Sequence, residues 1–259
     1  MIKNLWVFDF DGTLSRIVPD RYAARLHPLC RTMLAQLAAT ESFYTAILSS
    51  RTLDDLLARI DIQGIALGGN GGAEWLLTDG TRTTVAQDRL TELQAVRTLL
   101  LPELKHIDQI EGVDIEDKKL SIAVHVRQVS GKYRRFIQRH LEFLKLDYNL
   151  TIYPGPEAYE IALLPDMLKT HGLMNLCGCI GFNMDEGFLQ YAGDDSHDAE
   201  VMKLVLQHGG MAFTVGPEPL VAGSAVVTDP EALAQEILKI IGQNAPRSTV
   251  NSAMRALLL

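Results

Sequence analysis

Two aspartates, Asp9 and Asp11, close the apolar run Leu5, Trp6, Val7, Phe8 in the stretch WVFDFDGTLS. Alternate residues of a strand share a face, so both carboxylates are predicted at the strand's C-terminal tip, where open α/β sheets bind ligands. Like charges so close repel unless a cation, a proton or a reaction needs them there. A solvated turn uses the same residue types, because Asp and Gly are ordinary turn formers. Three further signals weigh against a turn alone. Ser49 ends the stretch SFYTAILSS, Lys169 follows a long break in the strand and helix rhythm, and Asp194 with Asp195 ends LQYAGDD. Strand tips of a parallel sheet share one edge, so these side chains can converge although they are far apart in sequence.

Each of them has a chemical task at such an edge. A carboxylate can attack phosphorus and form an aspartyl phosphate, dividing one hard displacement into two easier ones. A second carboxylate can protonate the leaving alcohol and later take a proton from water. Clustered carboxylates hold Mg²⁺, which takes one or two of them together with phosphate oxygens. Lysine and a serine hydroxyl stabilise the remaining phosphoryl charge.

The elements that must position this set follow from the pattern of the chain. Strands near 4–10, 42–50 and 64–70 alternate with helices near 28–40 and from Thr52, an order that implies a parallel sheet. The rhythm then changes. Residues 87–101 and 130–146 read as amphipathic helices, each followed by a strand pair, 110–116 with 119–127 and 149–154 with 157–163. This αββαββ order predicts an antiparallel sheet with helices on one face, inserted into the first domain. From Leu168 the alternation resumes with a helix, a strand at 189–195, a helix at 197–208 and the strands MAFTVG and AVVTD. The expected division is a core of 1–84 and 166–259 around an inserted domain of 85–165, with SAMRALLL as a short docking helix or frayed tail.

Bulk composition is compatible with such an enzyme. The chain has 259 residues, 47% of them hydrophobic, which is enough for a sizeable core. A net charge of -8, with no long Lys/Arg tract, argues against nucleic-acid and anionic-membrane partners. Cys30, Cys177 and Cys179 form no even disulfide framework, so a reducing cytoplasm is expected, and the two close cysteines read as ordinary buried thiols. No run reaches transmembrane length and no signal peptide precedes the first strand. GGNGG lacks the ending of a phosphate-cradling P-loop and reads as a tight turn with Asn70 facing the cleft. The histidines make no HExxH pair, and His125 reads as a packed residue.

DFDGT, the strand-end serine of ILSSR, Lys169 and GDD together resemble the four motifs of the haloacid dehalogenase superfamily of phosphohydrolases. The resemblance implies a Rossmann-like α/β core with a C2-type cap. It also implies Asp9 as nucleophile, Asp11 as general acid/base, and Ser49 and Lys169 as phosphoryl ligands. Mg²⁺ would be held by Asp9, the backbone carbonyl of Asp11 and Asp194, with Thr13 and Asp195 in support. DGTLSRIVPDRYAA, ILSSRTLDDL, GGNGGAEW, EDKKLSIAVHVR, YEIALLP and GDDSHDAEVM run in the order found in trehalose-6-phosphate phosphatases, over nearly the whole chain. By that resemblance Glu116, Lys118, Arg127 and Glu160 would contact the glucose, and Arg51 and Asn70 are expected beside them as substrate-binding residues. Glu116 and Lys118, two apart on one strand, would face the same way. Three positions depart from the pattern: Ser50 replaces a usual glycine, GGNGG lacks a frequent histidine, and His197 replaces a common threonine. They bear on the sugar and not on the phosphoryl chemistry.

The expected activity is Mg²⁺-dependent hydrolysis of a small-molecule sugar phosphate, trehalose 6-phosphate foremost, by a cytoplasmic monomer. Glucosylglycerate, mannosylglycerate and sucrose phosphates remain alternatives, as does a phosphomannomutase-like enzyme whose cap would use Arg134 and Arg135 to grip a second phosphate. A non-catalytic sugar-phosphate sensor has no need of Asp11.

Overall fold

The computed structural model describes residues 2–84, 89–155, 157–164 and 168–244. Its larger sheet has eight strands in the order β12-β11-β10-β1-β2-β3-β4-β5. Here β1 is Asn4–Phe8, β2 Phe43–Leu48, β3 Ile65–Gly69, β4 Glu74–Leu76 and β5 Arg82–Thr84. After the insertion come β10 Phe188–Gly193, β11 Met211–Val215 and β12 Ala225–Val227. The strands from β12 to β3 are parallel, as the alternating pattern predicts. β4 and β5 add an antiparallel edge that was not expected. Short strands of mixed polarity carry too little periodicity to stand out from a loop.

The central parallel strands are largely apolar because both of their faces are covered. In β1, Trp6 and Phe8 point into one core with Met33, Leu34 and Leu37 of α1 (Pro28–Ala38) and Leu233 and Ile237 of α7 (Pro230–Asn244). Leu5 and Val7 point into the opposite core, with Leu173 and Leu176 of α5 (Lys169–Ile180) and Val201, Met202 and Val205 of α6 (Ser196–Gln207). The result is a three-layer core, with the short α2 (Leu53–Leu57) on the α1 face.

The segment between β5 and α5 builds the second sheet, wholly antiparallel, in the order β6-β7-β9-β8. β6 is Asp114–Asp117, β7 Ser121–His125, β8 Thr151–Pro154 and β9 Ala158–Ala162. Ile122, Val124 and Ile161 pack under α3 (Leu90–Asp108) and α4 (Gly131–Asp147), against Leu100, Leu104, Ile107, Ile137, Leu141 and Leu144. Both helices therefore lie on one face, as expected, and α3 runs on through Pro102. The alternate strand residues, Glu116, Ser121, Ala123 and Glu160, face the other way, toward the larger sheet. The expected ends of the inserted domain at 85 and 165, and the tail SAMRALLL, lie outside the described residues. Cys30 and Cys177 are buried as expected, and burial pushes both thiols up to about 12, whereas Cys179 is exposed. Among the described residues no helix is long and apolar enough to cross a membrane.

One close approach fixes the start of α5 against the end of β3. A Cβ on Gly172 would lie 2.1 Å from the Gly71 carbonyl oxygen, and one on Gly72 would lie 2.5 Å from the Gly172 Cα. The Trp75 indole N–H donates to the Gly172 carbonyl at 3.2 Å and completes the seam. Gly172→Ala is expected to destabilise the chain by about 2 kcal/mol, the usual cost of overpacking a tight contact. The melting temperature should fall by roughly 4–8 °C for a domain of this size, and calorimetry showing no change would remove the seam from the account.

Candidate active site

The floor of the site is a buried cation. α5 begins at Lys169, whose Nζ lies 2.6 Å from Asp9 Oδ1 and 2.7 Å from Asp198 Oδ1. Burial disfavours its charge, but Asp198 and Asp9 outweigh that effect and hold the ammonium well above its ordinary pKa. Asp198 is fully buried and also accepts from the Tyr191 hydroxyl at 2.6 Å and from the backbone N–H groups of Asp194 and Asp195 at 3.0 and 3.2 Å. It therefore ties Lys169 to the tip of β10. Sequence reasoning missed Asp198. Its signal was a capping box, because Asp195 is the N-cap of α6 and Asp198 its reciprocal N3 residue.

Asp9 and Asp194 supply the crowded carboxylates. Oxygens of Asp9, Asp194 and Asp198 all lie within 4.8 Å of one another. Burial, then Asp198 and Asp195, push the Asp194 carboxyl up to about 8. Burial also raises Asp9, against the pull of Lys169 and with the help of Asp198 and Asp194. Each Asp198 oxygen already accepts two hydrogen bonds. The donor set open to a hard divalent cation is therefore Asp9 with Asp194, which suits Mg²⁺ in charge and ligand type. Thr13 donates toward Asp194 at 3.4 Å, and Gly12, with φ of 82°, leaves room for that carboxylate, since its Cβ would lie 2.0 Å from Asp194 Oδ2. Asp195 serves as a helix cap. Burial would raise it, but Lys169, His197 and the N–H groups of α6 hold it below the ordinary range.

Asp11 has a partner of its own. Arg51 donates to it from Nε at 2.6 Å and from Nη2 at 2.8 Å. The expected shared face of Asp9 and Asp11 gives way to two separate ion pairs, because β1 ends at Phe8 and strand alternation no longer governs the loop. Arg51 also grips Asp55 at 2.5 Å and the Arg21 carbonyl at 2.9 Å. Ser49 is buried, and its hydroxyl accepts from the Arg51 backbone N–H at 3.2 Å.

Above this floor lies a cleft of about 620 Å³, lined by Asp11, Arg51 and Asp194 on one side and Glu116, Lys118, Arg127 and Glu160 on the other. That volume falls within the range of small-molecule sites. Lys118 stands one residue beyond β6, and its backbone N–H donates to the Ser121 carbonyl at 3.0 Å. It still lines the same cleft as Glu116. Its ammonium meets Glu160 at 2.8 Å and the Ser50 carbonyl at 2.9 Å. Glu160 also accepts from Ser121 at 2.5 Å, and Asn70 donates to Glu74 at 2.7 Å with Ser121 on its other side at 3.5 Å. Glu116 is ion-paired with Arg21, and Arg127 donates to the Val18 and Pro19 carbonyls. His125 is not packed away: its Nε2 lies 2.9 Å from Arg21 Nη1, and burial followed by Arg21 and Lys118 lowers it to about 4. Arg134, expected in the mutase reading to face a second phosphate, donates instead to the Val129 and Arg127 carbonyls at 3.1 and 2.9 Å.

The trehalose-phosphatase family model matches residues 7–225, from β1 to the start of β12. The chain belongs to the trehalose-phosphatase family. Among trehalose-phosphatase relatives, it is 39% identical over 125 residues to the trehalose-phosphate phosphatase of Mycobacterium leprae, covering 48% of this chain and 28% of that one. With the trehalose-phosphate phosphatase of Mycobacterium tuberculosis it shares 31% over 213 residues, 78% of this chain and 51% of that protein. The chain thus spans about half or less of the length of these relatives. The fold is similar to that of the C-terminal domain of the C. albicans trehalose-6-phosphate phosphatase, with a TM-score of 0.74, 18% identity, and coverage of 93% of this chain and 92% of that one.

The Asp198 network sets a stability test. Asp198→Ala strips Lys169 of one of its two carboxylates and leaves Tyr191 and two backbone N–H groups without their acceptor. Breaking a buried pair in this way costs about 3–5 kcal/mol. Urea denaturation is expected to record a loss of that size, and a loss below about 1 kcal/mol would exclude Asp198 as the tie, since even one net hydrogen bond contributes that much.

Proposed function

We propose that the chain is a Mg²⁺-dependent phosphatase that hydrolyses trehalose 6-phosphate to trehalose and phosphate. The observation that carries this reading is the buried ion pair of Asp9 and Lys169, 2.6 Å long, at the floor of a cleft whose far wall is polar and hydroxyl-compatible. Asp9 attacks phosphorus, and the bond from phosphorus to the sugar oxygen breaks as Asp11 gives that oxygen a proton. Asp11, again a carboxylate, then takes a proton from the water that opens the aspartyl phosphate. Arg51 fixes the direction of Asp11 through its two hydrogen bonds. Lys169 and Ser49 take the phosphoryl oxygens, charge stabilisation being most of what phosphoryl transfer requires. Asp9 and Asp194, with the Asp11 backbone carbonyl, would hold Mg²⁺, which supplies Lewis-acid polarisation of the phosphoryl oxygens when bound.

The inserted sheet acts in this reading as a cap that recognises the sugar. Glu116 and Glu160 offer acceptors to hydroxyls, while Lys118 and Arg127 offer donors. The larger family members from mycobacteria carry the name of the same activity, which supports trehalose 6-phosphate over the other glycoside phosphates. A chelator is expected to abolish activity and Mg²⁺ to restore it. The melting temperature should also rise with Mg²⁺ in the wild type and not in Asp194→Asn, since a cation that binds only the folded chain stabilises it. Full turnover in excess chelator would end the metal assignment.

The cap and floor separate in a comparison of trehalose 6-phosphate with an aryl phosphate. Glu160→Ala should lower the efficiency for trehalose 6-phosphate by roughly 5-fold to 150-fold, the range for leaving buried hydroxyls unpaired, and do far less to the aryl ester. Asp9→Asn and Lys169→Ala should damage both substrates alike, Asp9→Asn by at least ~100-fold. Equal losses on both substrates for Glu160→Ala would remove the sugar-reading role of the inserted sheet while leaving the phosphatase chemistry in place.

A further inference from the structure

We propose that His197, in the first turn of α6, is a specificity-determining residue whose Nε2 forms a hydrogen bond with a hydroxyl of the sugar ring next to the phosphoryl group. The inference rests on the reading of the cleft as a sugar-phosphate site. The large cleft adjoins a smaller hollow of about 90 Å³ that holds Lys169, Asn70, Gly71 and Tyr153, and His197 lines both. Ser50 and Glu160 are the other residues common to the two. His197 therefore stands where the phosphoryl-facing floor meets the sugar-facing sheet.

Its surroundings say which atom is offered. The ring meets Tyr153 of β8 edge to face, with centroids 5.1 Å apart and planes at 72°, so a core residue touches the inserted sheet across the hollow. Nε2 is buried and has no hydrogen-bond partner among the described residues. Buried polar atoms are almost always paired, and an exception at a ligand cleft marks a place for the ligand's own hydrogen bond. Nδ1 faces the Asp195 carboxylate, 3.8 Å away. Whichever nitrogen carries the proton, Nε2 is left to pair with a ligand atom. The ring stands against Tyr153 of the sugar-facing sheet, and a sugar hydroxyl can meet Nε2 as donor or as acceptor. The partner is therefore the sugar.

The test takes trehalose 6-phosphate and p-nitrophenyl phosphate side by side on the wild type, His197→Ala, His197→Gln and Tyr153→Phe. In His197→Ala the ratio of the two kcat/KM values should fall about 3-fold to 10-fold, the worth of one neutral hydrogen bond, and chiefly through KM for the sugar phosphate. His197→Gln should recover most of the ratio, because its amide group extends to the region of Nε2. Tyr153→Phe keeps the ring contact and should keep the ratio. An unchanged ratio in His197→Ala overturns the proposal, and so does a fallen ratio that glutamine fails to rescue, since either result leaves His197 with a packing role only. If the wild type cleaves the aryl ester but not trehalose 6-phosphate, the substrate assignment fails, and the same ratio taken with sucrose 6-phosphate or glucosylglycerate phosphate, whichever is cleaved, still decides the role of His197.

Discussion

Lys169 is the one charge on which the arrangement depends. An ammonium removed from water is costly unless carboxylates close around it, and here Asp9 and Asp198 do so at 2.6 and 2.7 Å. Those two acids come from the loop after β1 and from the first turn of α6, and the lysine from the first residue of α5. Three segments that are remote in sequence are thereby held to one point. Asp198 extends the constraint to β10 through Tyr191 and to the next loop through the N–H groups of Asp194 and Asp195. The glycine seam of Gly71, Gly72 and Gly172 then lets α5 approach closely enough for Lys169 to reach Asp9. Packing and electrostatics thus act on the same helix end.

The contacts between the two sheets are of another kind. Lys118 reaches the Ser50 carbonyl, Arg127 reaches those of Val18 and Pro19, and Arg21 reaches Glu116 across the cleft. These are polar contacts at the margin of a water-accessible cleft, and the insertion keeps its own apolar core under α3 and α4. Polar interfaces of this sort allow relative motion, because water or a ligand can replace each hydrogen bond at little net cost. A hydroxyl-rich ligand can offer the same donors and acceptors. The floor is fixed by buried ion pairs, and the wall by bonds that a sugar can take over.

Much of this was legible in the sequence because it follows from periodicity and from strand tips. The apolar runs ending at Phe8, Leu48 and Gly193 declared parallel strands, and the acids or serine behind each run declared the site. The αββαββ order declared the second sheet and the face its helices cover. What escaped depends on the third dimension. Asp198 looked like one more acid on a helix, and only the approach of α5 makes it a partner of Lys169. The pairing of Asp11 with Arg51 is set by a loop whose direction follows from Gly12, not by strand alternation. The antiparallel edge of β4 and β5 is short and of mixed polarity, and α7 adjoins turn residues that blur its start.

Charge explains why floor and wall differ. Around the Asp9 oxygens stand the carboxylates of Asp194, Asp195 and Asp198, and Lys169 pairs directly with Asp9 and Asp198. A phosphate dianion entering that floor would add to an excess of negative charge, which together with the larger effect of burial already pushes Asp194 up to about 8. Asp9 and Asp194 would hold a divalent cation, which would offset that charge and draw on the carboxylates that otherwise repel. The wall faces no such conflict, because Lys118 is matched by Glu160 and Glu116 by Arg21. A neutral polyol can enter there without unbalancing any charge, by exchanging one hydrogen bond for another. On the proposed reading, the two halves of a sugar phosphate would meet the two halves of the cleft: the anion beside the crowded carboxylates of the floor, and the hydroxyls beside the ion pairs of the wall.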